Sequence, residues 1–230
     1  MADHELRTRS VVDAVEDELR DQLLRGEVDA GDGVTEVGVA ARFKIGRPTA
    51  KAALDRLVND GILIRNGRRG LIVRVLSDHD IAELYESRIV LESHVAAVLA
   101  AQQHLPESAT LQNDLLRLAA NRNDASVVVA SDVQLHHALV QAHGNGRMTR
   151  MHSTLMAEAH LCMARVQARQ LLRAEQIADE HATILDAIAA GDATAASDLT
   201  RDHLERARDK LLATMFEAPT DEDADPAATR

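Results

Sequence analysis

The stretch Lys44-Ile45-Gly46-Arg47-Pro48-Thr49-Ala50-Lys51-Ala52-Ala53-Leu54 decides the fold of the first third of this 230-residue chain. Lys44-Ile45-Gly46 reads as a tight turn. Pro48 suits the first turn of a new helix, where its missing N–H is not needed. That helix, over about 47–59, carries Ala50, Ala53, Leu54, Leu57 and Val58 on one face and stops at Asp60-Gly61. Upstream, Val11, Val12, Val15, Leu19, Leu23 and Leu24 recur at helical spacing over 8–25, with Gly26 as the stop signal. A Gly-rich connector follows, Ala30-Gly31-Asp32-Gly33, and Thr35 can cap a short helix running to about Phe43. Downstream, Ile62-Leu63-Ile64 and Leu71-Ile72-Val73-Arg74-Val75 flank the polar run Arg65–Gly70. Two β-rich runs around Asn66-Gly67 read as a hairpin.

Three helices and a hairpin make a winged helix-turn-helix, with 47–59 as the helix whose N-terminal side chains face base edges. Arg47 and Lys51 stand one turn apart on one face. The hairpin tip places Arg68 and Arg69 where they can enter a minor groove or meet phosphates.

The formal net charge of -11, taken alone, argues against a DNA-binding protein, but the charge is unevenly distributed. Residues 42–74 hold nine basic side chains against two acids, Asp55 and Asp60, for a net +7; residues 1–41 carry -7 and residues 76–230 carry -11. A basic island in an acidic chain is the footprint of a local phosphate-binding surface, although a solvated helix face is the commoner meaning of a charge run. Aromatics amount to 1% (Phe43, Tyr85, Phe216). The core must then be aliphatic, which favours packed helices and counts against base-stacking readers of single strands. Cys162 is the one cysteine, so no internal disulfide framework exists. The charged N-terminus has no apolar segment behind it and no run of about 18 apolar residues occurs, so a cytoplasmic protein with no membrane partner is expected.

Residues 8–75 resemble the GntR family of bacterial transcription regulators. The resemblance rests on Ala30-Gly31-x-x-Val34-x-Glu36-x-x-Val39-Ala40, on the Lys44–Leu54 stretch, on Asp60-Gly61-Ile62 and on Arg69-Gly70 in the wing. It implies double-stranded operator DNA as partner, with Arg47 and Lys51 as the recognition-helix cations and the wing tip near Gly70 in the groove. The expected DNA-facing set is Arg42, Arg47, Thr49, Lys51, Arg68, Arg69 and Gly70. Three departures stand out. Gly46 replaces the Ser that caps the recognition helix, Pro48-Thr49 inverts the usual Thr-Pro, and Val37 stands where relatives often carry Arg.

From Ser77 onward helical periodicity dominates, with helices expected at about 78–103, 107–121, 125–143, 147–172, 175–190 and 192–216. Short loops between them imply an antiparallel bundle. The fold class is therefore mainly α: a winged helix-turn-helix over 1–76, an all-α bundle over 77–217, and an acidic tail over 218–230 expected to be disordered. Ten of the eleven histidines lie between His79 and His203. Asp132 and His136, four apart, share a helix face. His181 and His203 lie ten residues before and twelve after Gly191, so a hairpin there brings them to matching heights. An Asp with three imidazoles suits a divalent first-row metal, Zn first, with Ni or Mn as alternatives. Spacing alone favours a set of unrelated surface histidines over a metal site.

Residues 78–216 are similar to the FCD effector domain of the FadR-type branch of that family. The marks are Asp132-Val133-Gln134-Leu135-His136, Gly144-Asn145, Glu180-His181, His203, and Ile81-x-x-Leu84-Tyr85-x-x-Arg88-x-x-x-Glu92. The resemblance implies a metal held by Asp132, His136, His181 and His203, and a small organic acid as effector. Ile81, Tyr85, Arg88, Glu92, Val95 and Leu99 form one stripe that would normally be core yet contains a charge pair. Arg88 is expected to fork to the effector's carboxylate, with Glu92 orienting it. The alternative is a plain Arg88–Glu92 ion pair at a bundle edge. The resulting expectation is a homodimeric DNA-binding regulator modulated by a carboxylate. The alternatives are a regulator for which the ion itself is the signal, and a metal-dependent hydrolase, for which no general-base motif is found.

Overall fold

In the computed structural model, residues 10–67, 70–167 and 173–216 are described. Helix α1 (Val11–Leu24) starts at a reciprocal cap: the Ser10 hydroxyl accepts from Asp13 N–H while the Asp13 carboxylate accepts from Ser10 N–H. It buries Val15, Leu19 and Leu23. Helix α2 (Glu36–Phe43) is capped by Thr35, whose hydroxyl accepts from Gly38 N–H, and ends at Lys44 in the left-handed conformation. Helix α3 (Arg47–Asn59) has Pro48 in its first turn and no side-chain cap at Gly46, so the departure noted there leaves one helix donor without a side-chain acceptor. Its Ala50, Ala53, Leu54 and Leu57 pack against α1 and α2 and are at most 1% exposed.

The hairpin forms as expected, from β2 (Leu63–Arg65) and β3 (Leu71–Val73), with Ile64 opposite Ile72. The Gly-rich connector differs from the expectation. It leads into a short strand, β1 (Gly33–Val34), which pairs antiparallel with β3, so the wing is a three-stranded sheet of order β1-β3-β2. Two residues are too few to show an alternating pattern, and one of them, Gly33, belongs to a residue type depleted in strands. The wing tip residues Arg68 and Arg69 lie outside the described residues, as does the acidic tail after Phe216.

The bundle runs α4 (Asp78–Ala101), α5 (Glu107–Asn121), α6 (Ala125–Ala142), α7 (Gly146–Gln167), α8 (Ala174–Ala190) and α9 (Ala193–Phe216). A Ser77–Asp80 capping box opens α4. Gly191, in the left-handed region at φ 79°, closes α8 and turns the chain into α9. No helix among the described residues is long and apolar enough to cross a membrane.

One apolar cluster runs without interruption from the winged helix into the bundle. It joins Val15, Leu54, Leu57, Ile62 and Val73 to Ile81, Tyr85, Met156, Leu161 and Leu204. Two polar features sit at that junction. Arg74, just after β3, donates to Glu158 on α7 at 2.9 Å and lies 3.5 Å from Asp80. Gly61 has φ 76°, a backbone conformation that favours glycine, and a Cβ there would come within 2.6 Å of Glu158 Oε1, so the Glu158 carboxylate would have to move.

Candidate functional site

The basic island resolves into two groups of side chains. Arg56 donates to Asp13 at 2.7 Å and Glu16 at 2.9 Å, fastening α3 to α1, and Arg74 faces Glu158; both are engaged within the fold. Arg42, Lys44, Arg47, Lys51 and Arg65 are exposed. Arg47 and Lys51 share the outward face of α3, with Thr49 half-buried between them. Arg42, in the last turn of α2, stacks near the Phe43 ring at 5.8 Å. Gly70, at φ 79°, accepts from Asn66 N–H at 2.8 Å and closes the wing turn. Val37, the third departure from the family pattern, is 58% exposed on α2. A side chain at that position therefore meets solvent rather than core.

The second site lies in the bundle core. Asp132 and His136 project from one face of α6, His181 from α8 and His203 from α9, all four at most 4% exposed. One ligand atom from each lies within 4.8 Å of the others. His181 Nε2 is 3.3 Å from His203 Nε2 and 3.4 Å from Asp132 Oδ1. Two donors on a tetrahedral ion at about 2.05 Å lie roughly 3.3 Å apart, so the two His181 separations suit a shared ion, and the widest pairs of the group would draw in around it. The turn at Gly191 is what aligns His181 with His203 across the α8–α9 hairpin.

The outer contacts fix which ring nitrogens face inward. His203 Nδ1 lies 2.8 Å from Glu180 Oε2, and Arg206 Nε donates to Glu180 Oε1 at 3.1 Å. His136 Nδ1 lies 2.6 Å from Glu92 Oε2. A carboxylate at Nδ1 orients the imidazole and leaves Nε2 for a metal. His136 Nε2 is buried and has no hydrogen-bond partner among the described residues, so it is free to serve as a donor to an ion. Burial pushes the His181 imidazole well below its ordinary value, and burial likewise lowers His203, so both are held neutral as metal ligation requires. Burial opposes ionisation of Glu180, but hydrogen bonds from His203 and Arg206 bring its carboxyl down to about 2. The buried Asp/His3 cluster can hold a metal ion.

Two of these partners are not evident in the sequence. Glu180 precedes His181 and points about 100° away from it; only the packing of α8 on α9 reveals that this direction meets His203. His152, on α7, carries no motif, yet it is fully buried with Nε2 3.2 Å from Glu92 Oε1. Glu92 is thus a hub. It accepts from Arg88 Nε at 2.8 Å and faces His136 and His152. Burial would raise its carboxyl, but Arg88, then His136 and His152, hold it well below the usual range. The stripe Ile81, Tyr85, Arg88, Glu92, Val95 and Leu99 is buried along its whole length, and the Arg88–Glu92 ion pair sits in the bundle interior rather than at its edge. Arg88 lies over the Tyr85 ring at 4.9 Å, and its Nη2 has no hydrogen-bond partner among the described residues. It lines a narrow cleft with Asp132, Glu180, His203, Arg206 and Lys210.

The sequence matches the FCD domain model over residues 83–206, more than half of the chain, and the model of bacterial regulatory proteins of the gntR family over residues 11–73. The chain belongs to the GntR family. This GntR-family regulator is 28% identical over 219 residues to the HTH-type transcriptional repressor NanR of Citrobacter rodentium, covering 86% of this chain and 84% of that one. NanR of Salmonella arizonae is 26% identical over 226 residues, with 87% and 86% covered. Among solved structures, a GntR transcriptional regulator from Rhodococcus sp. RHA1 superposes with a TM-score of 0.78 at 26% identity, over 88% of this chain and 97% of its own. E. coli McbR/YncC reaches the same TM-score at 17% identity and shares the fold. The two matched domain models and the NanR repressors make the GntR-family chain a DNA-binding transcription regulator and not an enzyme.

The buried imidazoles make acid stability of the metal-free regulator a direct test of this core. Below the ordinary histidine value of 6.5, the unfolded chain binds protons that folded His181 and His203 do not. Stability therefore falls as pH drops through that value, by about 1.4 kcal/mol per pH unit for each such histidine. Glu158, raised by burial, acts in the opposite sense nearer its ordinary value of 4.5. The urea midpoint of chelator-stripped protein is expected to decline steeply from pH 7 to pH 5.5. A level or rising midpoint over that range contradicts neutral burial.

Proposed function

We propose that this regulator is a homodimeric, one-component repressor whose winged helix, residues 1–76, binds a two-fold symmetric operator, and whose bundle, residues 77–217, holds a divalent metal and a small carboxylate in the cytoplasm. Repression is proposed because the NanR relatives are transcriptional repressors. The observation that carries the effector reading is the cleft shared by Arg88, Asp132 and His203, into which the metal cluster and a buried guanidinium converge.

Asp132, His136, His181 and His203 would hold the ion, Zn fitting the N/O donor set best, with Ni or Mn as alternatives. When bound, the ion supplies a cationic centre for an acid's oxygens. Arg88 offers the matching fork, and Glu92 fixes its direction through Nε. The rim adds Arg206 and Lys210, so the approach favours anions. In the head, Arg47, Lys51, Thr49 and Arg42 face DNA, with Arg68, Arg69 and Gly70 at the wing. Effector binding changes operator affinity to the extent that it favours one head arrangement over another.

Native mass spectrometry of the purified full chain tests this composition. The expected species is a dimer carrying one ion per chain, with a small acid retained in part of the population. A metal-free monomer contradicts it. A second reading, in which the ion itself is the signal, is favoured by the four protein side chains that could ligate it, and it is distinguished from the first by whether operator affinity responds to chelation alone or to added acid.

A further inference from the structure

Asp55 interrupts a surface that is otherwise cationic. It follows Lys51 by one turn and Arg47 by two on the outward side of α3, opposite the buried Ala50, Ala53, Leu54 and Leu57. Its carboxylate is shared between two elements. Oδ2 accepts from Lys51 Nζ at 2.5 Å, and Oδ1 accepts from Arg65 Nη2 at 2.7 Å. Arg65 ends β2, so a single carboxylate links the recognition helix to the wing. The neighbouring Arg56 turns the other way, towards Asp13 and Glu16, and does not enter this group.

The three side chains are 54%, 37% and 67% exposed, for Lys51, Asp55 and Arg65 respectively. Ion pairs that open to water contribute little to fold stability. What the arrangement does is geometric and electrostatic. It presents an ammonium and a guanidinium as a pair anchored on one carboxylate, and it places a negative charge in the middle of the face that meets phosphates. Lys51 and Arg65 keep that carboxyl ionised, Lys51 having the larger influence.

We propose that Asp55 is a specificity-determining positioning residue for DNA binding: it holds Lys51 and Arg65 as a preset pair and repels duplexes that do not engage both. On a matching site the two cations reach their acceptors and the carboxylate stays between them. On any other sequence the helix meets the backbone with a partly uncompensated negative charge, which lowers affinity. Discrimination built on repulsion as well as attraction is a general route to specificity. The inference rests on the DNA-binding reading of α3 and the wing given above.

The test compares wild type, Asp55→Asn, Asp55→Ala and Asp55→Glu on two duplexes, one of random sequence and one selected by the wild-type protein from a randomised pool, across a salt series. Asp55→Asn is expected to tighten binding to the random duplex roughly three- to tenfold near 0.1 M salt and to steepen its salt slope by up to about 0.9, as for one additional phosphate contact. Binding to the selected duplex changes less, so the ratio of the two affinities falls by about threefold or more. Asp55→Ala behaves in the same way, and Asp55→Glu restores most of the ratio. Random-duplex affinity and slope unchanged in Asp55→Asn overturn the proposal. So does an equal gain on both duplexes, which would make the charge a general brake with no part in discrimination. Wild-type protein that binds neither duplex in a salt-dependent way overturns the DNA-binding reading itself, and that outcome is distinct from either of the others.

Discussion

Purified His181→Ala/His203→Ala protein is expected to carry no stoichiometric divalent ion, against one per chain for the wild type, by elemental analysis after dialysis. The two imidazoles approach within 3.3 Å at Nε2 and supply half of the ligand set. Loss of an outer-shell partner typically weakens a metal site 10–100-fold, and loss of two direct ligands should exceed that range. The milder variant Glu180→Gln keeps every ligand but removes the charge that orients His203. Its expected effect is a loss of about 10–100-fold in metal affinity with the fold intact. Full occupancy in folded double variant, or an unchanged affinity in Glu180→Gln, would refute the ligand geometry.

Alanine at Arg47 and at Lys51 is expected to weaken binding to a selected operator by about 1–3 kcal/mol each, or roughly 5- to 150-fold, if each contacts base edges. The two stand one turn apart on the exposed face of α3, and neither is needed by the core that the opposite face builds. The thermal midpoint should therefore barely move while affinity falls. Contacts to phosphate instead would appear as a smaller salt slope, by about one per residue, and a similar loss on every sequence. Undiminished binding by the double variant contradicts the assignment of α3 as the recognition helix.

The winged helix was legible because each of its signals is local. Pro48, the Asp60-Gly61 stop and the Asn66-Gly67 turn act within a few residues of the structures they specify. The strand Gly33–Val34 was not legible, since its partner Leu71–Ile72 lies almost forty residues away and two residues carry no period. In the bundle, Asp132, His136, His181 and His203 were legible from helical spacing, a Gly191 hairpin and the family pattern. Their supporting shell was not. Glu180 reads as pointing away from its neighbour His181, and it is the crossing of α8 and α9 that turns this into a contact with His203. His152 meets Glu92 only because α7 packs on α4, which no spacing within α7 encodes. Charge counting overstated the DNA surface for a similar reason. Arg56 and Arg74 belong to the +7 island in sequence but serve the interior contacts of the fold.

The head and the bundle share one apolar cluster and meet at Arg74, Glu158 and Gly61, so a change in the bundle has a physical route to the DNA-binding helices. Helix α7 carries both Glu158 at that junction and His152 beside Glu92. The most direct measurement is operator affinity of the full-length protein, metal-loaded and chelator-stripped, with and without a panel of small mono-, di- and tricarboxylates. At least one acid is expected to change operator affinity fivefold or more in the loaded protein, within the usual ~5–150-fold range of coupling, and to have no effect on the stripped protein. Affinity that responds to chelation alone, and to none of the acids, would contradict the carboxylate reading and leave the ion as the signal.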